Sequence, residues 1–139
     1  MDKHVLLAQR NSWISWFYWI TILSLINTGT NLMEGWYSFI IGLGYTQLLE
    51  GVIMSLRDEL NQVTLWIFFT MSLLISGFFA LAGYMTQRGR HWWYLAAMII
   101  YAIDALIYGY VGDYVGVGFH IFALYFISLW YKSHRQLTQ

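Results

Sequence analysis

The chain has 139 residues, of which 59% are hydrophobic and only 10% charged, against roughly 25% charged in an average soluble domain, so water is not its main solvent. Seven basic and seven acidic residues balance to zero formal charge, which leaves no global field to attract nucleic acid or an acidic partner. The absence of Cys excludes disulfides, thiolate metal sites and thiol nucleophiles, and the absence of Pro removes the commonest cause of a helix kink.

A bilayer core of about 30 Å is crossed by about 20 mostly apolar helical residues. The first such stretch is 13–33. It is longer than the apolar core of a signal peptide and ends in Asn27-Thr28-Gly29-Thr30-Asn31, not in a small-residue cleavage site, so it is expected to stay in place as a span. The segment 36–58 comes next and is poor material for a lipid-exposed span, since it carries Gln47, Glu50 and the glycines 42, 44 and 51. Within it Tyr45, Leu48, Leu49, Val52, Ile53 and Leu56 follow the spacing of one helix face, with Thr46, Gln47 and Glu50 off the stripe. This predicts an external amphipathic or re-entrant helix, entered through a bend at Gly42 to Gly44. The remaining spans are 64–85, 92–111 and 114–131, joined by connections short enough for antiparallel hairpins. On the second span Ser72, Ser76, Ala80 and Gly83 form a small-residue stripe suited to close helix approach.

Charge placement fixes the parity. Lys3, Arg10, Arg88, Arg90, Lys132 and Arg135 all fall on one side if the chain crosses four times, which makes that side cytoplasmic and puts both termini there. Trp and Tyr cluster near the expected headgroup levels: Trp13, Trp16, Tyr84, Trp92, Trp93, Tyr94, Trp130 and Tyr131 inside, and Trp36, Tyr37, Trp66, Tyr108, Tyr110 and Tyr114 outside. The expectation is one all-α domain over 1–139, an integral membrane four-helix bundle with one additional helix on the outer side.

Asp104 and His120 are the ionisable residues inside the apolar layer, where an Asp costs about 2.5 to 3.5 kcal/mol on insertion scales and is a candidate functional group. Asp104 precedes the turn at Asp113 and His120 follows it, so at about 1.5 Å rise per residue both lie roughly 10 to 14 Å below the outer surface and can meet. Helix periodicity puts Ala97, Tyr101, Asp104 and Tyr108 on one face, and Gly116, His120, Ala123 and Ile127 on another. Ser24, Asn27, Thr28 and Asn31 fall at similar depth on the first span. The candidate polar site is therefore Asp104, His120, Tyr101, Asn27, Asn31, Glu50 and Gln47, lining a cavity open to the outer side or else fixing helix register through hydrogen bonds.

Catalytic signatures are absent: no H-E-x-x-H, no G-x-S-x-G, no phosphate-binding loop and no dinucleotide fingerprint. One His within the apolar layer does not make a haem or metal site, so no cofactor is expected. Three readings follow: a non-catalytic membrane subunit packing against partner helices or a second copy, a binding or transport module for a small solute or proton, and an intramembrane enzyme. The C-terminal half, with Tyr101-Ala102-Ile103-Asp104, Asp113, Gly118-Phe119-His120 and Ala123-Leu124-Tyr125, resembles small multi-pass membrane proteins of bacteria that carry no assigned function. The run of Gly42, Gly44, Thr46, Gln47, Glu50 and Gly51 is similar to their first external segment. The resemblance implies a bacterial cytoplasmic membrane and supplies no functional residue.

Overall fold

The computed structural model describes residues 3–32, 43–56 and 59–138. These residues form helices and short connections: α1 (Lys3–Leu32), α2 (Gly44–Ser55), α3 (Gln62–Gln87), α4 (His91–Val111) and α5 (Tyr114–Thr138). Three of them, α3, α4 and α5, are long and apolar enough to cross a membrane. The protein is all-helical among the described residues, and most of the apolar surface of these three helices faces outwards. α1 is the longest helix, beginning ten residues before the expected span at residue 13, so at about 1.5 Å per residue it is roughly 45 Å long.

α1 packs on α3 and on α5, α3 packs on α4, and α4 packs on α5, so these four helices close a ring. α2 lies against α1, α3 and α4. The ring closes on an aromatic core in which Phe17 meets Phe79 and Tyr94, and Tyr94 meets Trp130 with ring centres 4.4 Å apart. Along the other side of α1, Trp13 and Trp16 stack on Phe126 of α5. Where side chains are small the backbones come close: a Cβ on Gly83 would lie 3.3 Å from Phe17 Cβ and from Tyr18 Cζ. The expected small-residue stripe of α3 is buried at Ser72, Ser76 and Gly83, but Phe79 fills its middle and Ala80 is only half-buried.

Among the described residues the aromatic assignments divide in three, with Trp13, Trp16 and Trp93 half-buried against the core. Trp66, Tyr84, Trp92, Tyr110, Tyr114 and Tyr131 are exposed, as a headgroup belt requires. Tyr94, Tyr108 and Trp130 belong to the core, because each buries its ring against another helix. Tyr94 also donates its hydroxyl to the Ile127 carbonyl at 3.3 Å.

The connections have local causes. Asn61 caps α3 by accepting the Thr64 amide at 2.9 Å. The α4–α5 hairpin turns at Gly112, whose φ of 80° is left-handed, and Asp113 then accepts the amides of Val115 and Gly116 at the start of α5. Gly112→Ala is therefore expected to cost about 1 kcal/mol in thermal or denaturant unfolding, although a Cβ there meets nothing within 4 Å.

Candidate functional site: a buried carboxylate and imidazole that cap a helix

α2 has no side-chain cap of its own, since Leu43 stands at its N-cap position. A helix start leaves amides without partners, and here those of Leu43 and Gly44 are buried and that of Tyr45 partly so, where an unpaired N–H is costly. Side chains from two other helices supply the acceptors. Ser24 Oγ of α1 accepts the Leu43 amide at 3.0 Å. Asp104 of α4 accepts the next two, with Oδ2 2.7 Å from the Gly44 nitrogen and Oδ1 2.8 Å from the Tyr45 nitrogen. The carboxylate thus sits at the positive end of the α2 dipole, as anions at helix N-termini do.

The third partner of Asp104 is His120 of α5, with Nε2 2.9 Å from Oδ2. Its Nδ1 is 2.9 Å from the carbonyl oxygen of Gly116, which can only accept, so Nδ1 carries a proton. One proton lies on the Nε2–Oδ2 contact, and whichever of the two atoms carries it, the pair adds no net charge to the interior. His120 is 0% exposed and Asp104 4%.

Two tyrosines of α4 hold the imidazole. Tyr101 stacks on it at 4.3 Å with 21° between the planes, and Tyr108 lies at 4.7 Å and 48°. Tyr108 is in turn wedged between two backbones: a Cβ on Gly44 of α2 would lie 2.6 Å from its Cε2, and one on Gly116 of α5 would fall 2.6 Å from its Cε1 and 2.9 Å from its Cγ. Gly44, Tyr108 and Gly116 therefore form a tight stack that brings α2, α4 and α5 together at the level of the Asp104–His120 pair. Sequence reasoning placed Tyr108 and Gly116 on the faces of Asp104 and His120 and used Gly44 as a bend; their joint role is new, as is that of Ser24.

The structure brings Asp104, His120 and Tyr101 together. Asn27 is fully buried on α1, one turn beyond Ser24. Gln47 lines a cleft of about 220 Å³ between α2 and α4 with Gly44, Leu48, Ile107, Tyr108 and Val111, and neither Asp104 nor His120 lines it. The side chains of Asn31 and Glu50 lie outside the described residues, as do Gly42, Trp36 and Tyr37. Among the described residues no three His, Asp or Glu gather as metal ligands would.

Most of the apolar stripe of α2 points away from the other helices: Tyr45, Leu48, Val52 and Leu56 are exposed and Leu49 and Ile53 half-buried, while Leu43, Gly44 and Thr46 are buried. Asp104 is seven residues before the last residue of α4, so the start of α2 is anchored about 10 Å down that helix. No family model matches this chain, and no curated protein or solved structure matches it.

Proposed function

We propose that the chain is a non-catalytic multi-pass membrane protein, an accessory subunit that packs against partner helices. In this reading α1, α3, α4 and α5 span the bacterial cytoplasmic membrane as a four-helix bundle with both termini on the cytoplasmic side. α2 re-enters from the outer side, its outward stripe in contact with acyl chains. One observation carries the non-catalytic assignment: both oxygens of Asp104 and both nitrogens of His120 are engaged inside the protein. A general acid or base must reach its substrate, and these groups face only other parts of the chain. A solute or proton site at this pair lacks such support, since the neighbouring cleft is lined without either residue.

The partner part of the reading is supported by the extent of exposed aliphatic surface on helices that already have a filled core, as at Leu74 of α3 and Leu106 of α4, 69% and 70% exposed. Photo-cross-linking residues at these two positions, activated in native membranes, are expected to give discrete protein adducts. Adducts with lipid alone at both positions would overturn the accessory-subunit reading.

A further inference from the structure

Three buried hydroxyls in the middle of the molecule have no hydrogen-bond partner within the described protein: Ser72 Oγ and Ser76 Oγ on α3, and Tyr101 Oη on α4. Their residues are 1%, 0% and 0% exposed. A buried hydroxyl without a partner is unfavourable, and native interiors satisfy such groups with protein atoms or with bound water. Ser72 and Ser76 lie on one face of α3, and Tyr101 of α4 meets that face through Phe79. The Tyr101 ring is held between His120 of α5 and Phe79 of α3, with centres 4.3 Å and 5.9 Å away. Phe79 follows Ser76 by one helical turn and Ser72 by two on the buried face of α3. This level of the interface is polar from the α1 side as well, because Thr21 Oγ1 donates across to the Ser76 carbonyl at 3.0 Å.

We propose that the interior between α3 and α4 is a binding site for water, with Tyr101 Oη, Ser72 Oγ and Ser76 Oγ as its protein partners. The site is separate from the helix-capping pair, whose polar atoms are already matched, and it touches that pair only through the stacked rings of Tyr101 and His120. Bound water there joins α3 to α4 in a region where the direct contacts are aromatic, and gives each hydroxyl both a donor and an acceptor.

The sign of one substitution tests this. Removing a hydroxyl that has no partner relieves the interior, whereas removing one that holds a water leaves other groups unmatched. Tyr101→Phe in the full chain is expected to lower the thermal midpoint by about 4 °C or more, and Ser76→Ala and Ser72→Ala to lower it in the same direction. Tyr101→Phe combined with Ser76→Ala is expected to cost less than the sum, since both remove the same bridge. In bilayer samples of tyrosine-labelled protein, water-edited solid-state NMR is expected to show early magnetisation transfer to a Tyr Cζ signal that vanishes in Tyr101→Phe. An unchanged or raised midpoint for Tyr101→Phe, or a Tyr101 Cζ signal that builds up no faster than the buried phenylalanine rings, would overturn the proposal. Ser→Ala changes without effect would do the same, for they would show hydroxyls turned back on their own helix carbonyls.

Discussion

Asp104→Ala is expected to destabilise the protein by about 3 to 5 kcal/mol, because a buried side chain that accepts two amides and meets an imidazole is lost. The change leaves the amides of Gly44 and Tyr45 without their acceptor and the Nε2 of His120 without its partner. His120→Ala is expected to cost less, about 1.5 to 3 kcal/mol, because the carboxylate keeps its two amide donors. The double substitution should cost less than the sum of the two, since each single change already removes the bond between them. Unfolding of the four proteins in a detergent titration reads the cycle. Full additivity, or an Asp104→Ala protein as stable as the parent, would show that the pair does not hold the fold together.

Gly116→Ala carries the second large effect. A methyl group there overlaps Tyr108, so the ring must shift while its other edge lies against Gly44 and its face against His120. Overpacking of this kind costs about 1 to 3 kcal/mol, and here it should also loosen α2, against which the ring would be driven. Gly118→Ala is the control on the same helix: a Cβ there meets nothing within 4 Å, so the substitution should be neutral or slightly stabilising through helix propensity. Tyr108→Leu in the Gly116→Ala background should recover part of the loss. Equal midpoints for the two Ala variants would contradict the tight stack.

Much of this architecture is legible in the sequence because the relevant signals are long-range averages. Apolar runs with few charges mark α3, α4 and α5, and the positions of Asp104 and His120 relative to the turn at Asp113 bring them to one level. Helix periodicity also identifies the faces that carry Tyr101, Tyr108 and Gly116. What periodicity cannot supply is the identity of the neighbour across a face. The acceptor for the start of α2 comes from a residue some sixty positions later, and that for Leu43 from Ser24, which the sequence places at the right depth without showing what it meets. The stripe of α2 was equally compatible with facing the bundle or the lipid; exposed Leu48 and Val52 and buried Thr46 decide for the outward orientation, because the buried amides need polar partners more than the stripe needs cover. Tyr94, Tyr108 and Trp130 resemble belt residues in sequence since their amphipathic rings suit either environment. Phe79 interrupts a small-residue seam for a reason visible only in three dimensions: its ring meets Phe17 of α1 and Tyr101 of α4.

The central claim is that the buried carboxyl group and imidazole exist to hold α2 in place. The chain contains no Cys, so two introduced cysteines can be spin-labelled without background. Gly51 on α2 is exposed with open space at its Cβ, and Tyr110 near the end of α4 is 91% exposed, which makes both suitable label sites. Pulsed dipolar spectroscopy of the Gly51→Cys, Tyr110→Cys protein in nanodiscs is predicted to give a single narrow distance distribution that broadens strongly when Asp104→Asn is added. A distribution that stays narrow and unmoved in the Asp104→Asn protein would contradict the claim.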